Sequence, residues 1–219
     1  MACGTGVVAR EAADRLGGDG RVVGVDLNEA MLTVARRLRP DIDWRHGDAC
    51  DLPLPDRSFD VVLCQSALMF FPDQARSVRE MSRVVKGHGT VTVQAWSSLD
   101  AQPAYGPLVE VAARHAGRDA VSLLGSYWTL GDIDLVRACF DASGLEVTDV
   151  QRRIEPAHFE SIDDFVQTEV ESTPLVERID DTVYERIRAD ARVDLAPFRT
   201  STGTAEIPLA GYIVTGRRR

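Results

Sequence analysis

Val8, Ala12 and Leu16 recur at every fourth position, and Gly17-Gly18 follows them. That spacing puts the three on one helix face, and the glycines stop the helix. Residues 22–25 form a short apolar run ending at Asp26, which reads as a buried strand. Asn28 is placed to cap a helix carrying Ala30, Met31, Val34, Ala35 and Leu38, which ends before Pro40. Strands are expected at 42–44 and 59–64, the second after the turn-rich Leu52-Pro53-Leu54-Pro55-Asp56. A helix fits 74–85, and Gly87-His88-Gly89 turns the chain into a strand at 90–96. Short apolar runs alternating with helical patterns are the signature of βαβ units on a parallel sheet.

Beyond residue 96 the pattern is less regular. Residues 103–116 and 133–142 read as helices, and 145–150 as a strand after Gly144. Residues 162–193 read as one or two helices, interrupted near Thr173-Pro174, and 207–215 as a final strand. The expectation is a single domain over 1–219. It has a ligand-binding half at 1–96, helical cap segments at 97–142 and 156–200, and the last strand within 205–216. Open α/β sheets bind ligands at the carboxyl ends of their strands, where such a cap would lie.

The net charge of −9 argues against a nucleic-acid binder working through a basic face. With 44% hydrophobic residues the chain has enough to bury a core. Cys3, Cys50, Cys64 and Cys139 show no metal or redox spacing, so reduced, packed thiols and a cytoplasmic protein are expected. Met1 leads straight into a glycine loop rather than a signal peptide, and no stretch approaches the ~20 apolar residues of a membrane span. Arg217-Arg218-Arg219 reads as a solvated tail.

The chemistry gathers near the start. Ala2-Cys3-Gly4-Thr5-Gly6 is a glycine loop opening a helix, which lets backbone N–H groups approach a ligand closely. Asp26 follows 20 residues after Gly6 at a strand end, where a carboxylate can accept from both hydroxyls of a ribose. Its bland role would be to cap backbone N–H groups, but Asn28 already suits that task. Gly4-x-Gly6-x-x-Ala9 fits a dinucleotide fingerprint equally well, so these features alone leave a nicotinamide cofactor open. Gly47-Asp48-Ala49, after the third strand, narrows the choice.

Together the motifs ACGTG (2–6), VDLNEAML (25–32), GDA (47–49), LPLPDRSFDVVLCQ (52–65) and GYIVTGRR (211–218) resemble the class I S-adenosylmethionine (SAM) dependent methyltransferases. The resemblance is to their small-molecule branch, related to ubiquinone and menaquinone biosynthesis. It implies a Rossmann-like α/β sheet with helices on both faces and an inserted helical cap. It implies SAM as cofactor, S-adenosylhomocysteine as product and a small-molecule acceptor such as a quinone precursor or secondary metabolite. By the same resemblance Ala2, Gly4 and Gly6 hold the methionine part and Asp26 the ribose diol. Leu27 and Met31 lie against the adenine, Asp48 and Ala49 read its amino group, and Gln65 lines the pocket. Met31 is also well suited to plain core packing.

A base for an oxygen or nitrogen acceptor has four histidine candidates. His88 is expected in an exposed turn, His46 adjoins the adenine loop, and His115 lies in a helical pattern. His158, beside Phe159 in the cap segment, is the weak favourite. Trp96, Tyr105, Tyr127 and Trp128 suit either an acceptor pocket or ordinary cap packing.

The resemblance also predicts a strand, and at least one helix, ahead of the glycine loop, and the chain shows neither. That strand would lie between the strands at 22–25 and 59–64, and without it a gap of ~10 Å is expected. The expected explanation is a start recorded too late; a truncated product that folds poorly or closes the gap is the alternative. Two further readings stand beside the enzyme: a non-catalytic fragment or binding module, and a nicotinamide-dependent reductase.

Overall fold

A computed structural model describes residues 1–218. Six strands and eight α-helices occur in the order α1 (Val7–Leu16), β1 (Val23–Asp26), α2 (Glu29–Leu38), β2 (Asp43–His46), β3 (Phe59–Gln65), α3 (Gln74–Val84), β4 (Val85–Trp96), α4 (Tyr105–Ala116), α5 (Asp119–Leu124), α6 (Ile133–Asp141), β5 (Leu145–Phe159), α7 (Ile162–Glu171), α8 (Asp181–Asp194) and β6 (Ala205–Arg218). Local chemistry sets the boundaries. The Asn28 side chain accepts from the N–H groups of Ala30 (2.9 Å) and Met31 (3.3 Å), capping α2. Gly17, left-handed at φ 58°, closes α1. Ser161 and Asp180 cap α7 and α8, on either side of the break expected near Thr173-Pro174.

The chain divides into two compact units. The first comprises Met1–Ala95, Ile133–Gln151 and the stretch from Ile213 on; the second comprises Trp96–Asp132 and Arg152–Tyr212. Segment 97–142, expected wholly in the cap, is therefore split. Helix α6 belongs to the first unit because its buried face, Val136 and Phe140, packs there and α3 lies against it. In the second unit α4 packs on α5 and α8 over a core that includes Leu108, Val111, Phe165 and Ile187.

β1 and β2 form a parallel pair with Asp26 opposite His46. The other strands form a sheet in the order β3-β4-β6-β5, with β3 and β4 parallel. Phe59 pairs with Val85 but Val61 with Thr90, so residues 86–89 bulge opposite Asp60. The expected turn at Gly87-His88-Gly89 is this bulge within one longer strand. His88 takes a left-handed φ of 66° there, and Lys86 Nζ reaches the Asp60 carboxylate at 2.8 Å. The expected solvated tail is only partly so. Arg217 is exposed, but Arg218 ends β6 half-buried and bonds to carbonyls at the end of α3; Arg219 lies outside the described residues.

Among the described residues no ladder joins β1 to β3. A cavity of about 1140 Å³ separates them, lined by Val8, Ala12, Val23, Val25, Val61 and Leu63 among others. The gap is open rather than closed by rearrangement. The first three residues reach across it: the Met1 ammonium donates to Leu63 O (2.9 Å) and the Cys3 N–H to Val25 O (3.0 Å). Residues 1–3 thus sit between the carboxyl ends of β1 and β3.

Candidate functional site

The glycine loop alternates left-handed residues, with φ of 46° at Ala2, 54° at Gly4 and 87° at Gly6. Alternating conformations of this kind turn successive backbone N–H groups toward a common concavity, which suits an anionic or polar ligand. Gly6 is needed twice over. Its φ is costly for any other residue, and a Cβ there would run into the Trp44 ring of β2. Trp44 is held under the loop by its Nε1–H bond to Arg39 O at 2.7 Å.

Asp26 ties this loop to the end of β1. Its Oδ2 accepts from Gly4 N–H at 2.7 Å and its Oδ1 from Asn28 N–H at 2.8 Å. The carboxylate thus fills the bland role of holding backbone N–H groups. A carboxylate has about four acceptor positions, and two remain for hydroxyl donors. Asn28 caps α2 with its side chain as expected, while its backbone N–H takes one Asp26 oxygen and the glycine loop the other.

The GDA segment joins the same place, because Gly47 N–H donates to Asp26 O at 3.0 Å. Asp48 is exposed, with Oδ1 accepting from Cys50 N–H at 2.8 Å, and Ala49 follows it half-buried. Leu27 and Met31 keep 64% and 43% of their surface exposed. Met31 therefore does not pack into the core, and neither does Leu27. Gln65 is exposed at the end of β3, opposite Gln94. The next residue, Ser66, is left-handed at φ 50° and its Oγ meets Gln94 Oε1 at 2.5 Å. Strained serines of this kind carry no sequence signal, unlike glycine or asparagine, so Ser66 is invisible to motif reading.

The structure brings Gly4, Gly6, Asp26 and Gly47 together through hydrogen bonds and packing, with Leu27, Met31 and Asp48 adjoining in sequence. The large cavity lies along β1 and β3; Ala2, Gly4 and Gln65 are in its walls, whereas Asp26, Leu27, Met31 and Asp48 are not. The histidines are scattered. His46 is exposed opposite Asp26, and His88 is exposed in the β4 bulge. His115 Nε2 pairs with Asp190 at 2.8 Å between α4 and α8, a strut of the second unit. His158 lies at the end of β5 in the second unit, 69% exposed at its side chain, with Nδ1 3.9 Å from Glu206 Oε1. Burial pushes the Cys3 and Cys64 thiols up to about 11, so neither is poised as a nucleophile. Among the described residues no group of three or more His, Cys, Asp or Glu is arranged for a metal ion. No helix among them is long and apolar enough to cross a membrane.

Residues 1–93 match the family model described as a methyltransferase domain. The chain is thus similar to the class I SAM-dependent methyltransferases. It is 35% identical over 99 residues to a demethylmenaquinone methyltransferase of Lactobacillus johnsonii, covering 42% of this chain and 41% of that one. It is 36% identical over 115 residues to a 2-phytyl-1,4-naphtoquinone methyltransferase of Synechococcus elongatus, covering 50% and 47%. The chain spans less than half the length of these curated relatives. The YcgJ protein of Bacillus subtilis shares the fold at a TM-score of 0.66 and 20% identity, over 100% of this chain and 89% of that one. The methyltransferase-domain match covers the loop, β1, β2 and β3 and ends within β4; the fold likeness extends over the second unit.

Proposed function

We propose that this chain is a SAM-dependent methyltransferase acting on a small-molecule acceptor, a quinone precursor or a secondary metabolite. The observation that carries the reading is the convergence on Asp26. Its carboxylate holds the left-handed glycine loop, its carbonyl holds the GDA segment, and it keeps acceptor capacity beside the exposed Leu27 and Met31. These residues fit the cofactor chemically. Loop N–H groups suit the methionine carboxylate, Asp26 the ribose diol, the exposed Leu27 and Met31 side chains an adenine face, and Asp48 with Ala49 the adenine amino group. Gln65 closes the same row of strand ends.

SAM supplies an activated methyl on a sulfonium; displacement by the acceptor leaves S-adenosylhomocysteine and releases a proton from an O–H or N–H acceptor. The chain's own part is alignment: holding the two reactants in line is worth about 7–11 kcal/mol of barrier. A nicotinamide-dependent reductase would share the loop and Asp26 but gives no use for Gly47-Asp48-Ala49. The second reading is a binding module without turnover. Calorimetric titration with S-adenosylhomocysteine, using Asp26→Asn as control, tests the first reading. Saturable binding weakened by the variant is expected, and preference for NADH would overturn it. Binding without methyl transfer to any acceptor in a broad screen would establish the module.

A further inference from the structure

Strand β5 is the edge of its sheet. In the order β3-β4-β6-β5 it bonds to β6, and no ladder runs along its other side among the described residues. It is 15 residues long, and Arg152-Arg153-Ile154-Glu155-Pro156 within it are all exposed. Ile154 keeps 67% of its surface in solvent. A long edge of unpaired N–H and C=O groups is a template for another strand. Pro156 shows which groups face outward. Proline has no N–H to give a ladder, so within a sheet its nitrogen lies on the open side of an edge strand. Successive residues of a strand present their backbone groups to alternate sides. Arg152 and Ile154 therefore face outward with Pro156, whereas the backbone groups of Arg153 and Glu155 face β6.

We propose that this edge pairs with a second copy of the chain, antiparallel about a twofold axis at Ile154. A twofold contact sets one patch against itself, and an outward-facing residue can lie opposite only another of its kind. Few registers meet that condition. Centring on Arg152, Arg153 or Glu155 puts like charges directly opposite, and centring on Pro156 removes the donors at the axis. Centring on Ile154 sets that apolar side chain against its copy and Arg153 against Glu155 on both sides of the axis. Ile154 then exchanges both backbone hydrogen bonds with its copy, and each Arg152 N–H donates to a Pro156 O. The missing Pro156 N–H ends the ladder there. Charges and prolines on an edge commonly prevent pairing. Here they reject the other registers and admit this one. The pairing does not depend on the methyltransferase reading.

Sedimentation of the full chain over a wide range of concentration tests this, with thermal melts to check that each variant folds. Wild type is expected to pass from one chain to two as concentration rises. Arg153→Glu turns both cross-strand attractions into repulsions and should weaken the dimer at least about tenfold. Adding Glu155→Arg to it restores opposite charges in the same register, and should return the dissociation constant to within about threefold of wild type. Arg152→Glu changes the net charge equally but lies opposite Pro156, so it too should stay within about threefold. Ile154→Asp sets two carboxylates together at the axis and should weaken the dimer at least as much as Arg153→Glu. A wild type that remains a single chain at every concentration would overturn the proposal. So would equal losses in Arg152→Glu and Arg153→Glu, a dimer untouched by Ile154→Asp, or a double variant as weak as Arg153→Glu alone.

Discussion

The Asp26 carboxylate accepts the Gly4 N–H at 2.7 Å across 22 residues of sequence, so the side chain that shapes the glycine loop is the one proposed to hold the ribose. The two contributions separate by substitution. Asp26→Ala loses both, and the loop should loosen along with the site. S-adenosylhomocysteine affinity should fall at least about 100-fold and stability by ~1.5–3 kcal/mol, the worth of hydrogen bonds to a charged group. Asp26→Asn keeps a carbonyl oxygen for Gly4. It should lose affinity about tenfold with a melting temperature close to wild type. Calorimetry and thermal melts on the two variants check this; equal effects in both assays would contradict it.

Gly6→Ala should destabilise the first unit by about 2–4 kcal/mol, combining a left-handed alanine with overpacking against Trp44. The overpacking part depends on the indole. In a Trp44→Phe background the same substitution should cost less, by ~1 kcal/mol or more. A double-mutant cycle of urea unfolding measures the coupling, and simple additivity would place the whole cost in the backbone.

Much of this arrangement is legible in the order of residues alone. Asn28 announces the start of α2, the run before Asp26 announces β1, and Gly17 announces the end of α1, because each depends on chemistry within a few residues. The alternation of these elements announces βαβ units on a parallel sheet, and the Rossmann-like class is what the motif resemblance implies. Contacts distant in sequence are another matter. Nothing in the sequence around Gly6 says that Trp44 lies beneath it. Strand β5 runs past the expected end at residue 150 to Phe159, because Gln151-Arg152-Arg153 breaks the apolar alternation on an exposed stretch. Helix α5, with six residues, is too short for a period to show. Helix α6 is legible as a helix, but its membership in the first unit depends on which partner its Val136–Phe140 face meets.

Glu80 and Glu169 should give opposite pH signatures. Glu80 is held below its ordinary value chiefly by Arg83, with burial opposing and the Leu52 N–H helping. A carboxyl depressed in the folded state stabilises above its unfolded value near ~4.3, and that contribution is lost as pH falls through the folded value. Glu169 is raised by burial, so its contribution is fully present below the unfolded value and is lost as pH rises through the folded one. Urea midpoints measured from about pH 3 to 8 should show the difference. Glu80→Gln should flatten the acid limb, and Glu169→Gln should remove a decline on the neutral side. Parallel curves for either variant and wild type would contradict the assignment for that residue.

Arg218 should act as a staple at the end of α3. Its Nη1 donates to Ser82 O (2.8 Å), Val85 O (3.2 Å) and Arg83 O (3.3 Å), the carbonyls that a helix leaves without internal partners at its C-terminus. A cation at that end also meets the negative end of the helix dipole. Arg218→Ala should therefore cost about 1–2 kcal/mol, with the group half-buried rather than fully enclosed. Arg218→Lys keeps the charge but not the planar fork, and should recover less than half of that. Local exchange protection gives the sharper reading. Amides in the last turn of α3 should exchange about tenfold faster in Arg218→Ala, whereas those of α4 in the second unit should be unchanged. Uniform acceleration across both would mean that Arg218 supports global stability without any particular hold on α3.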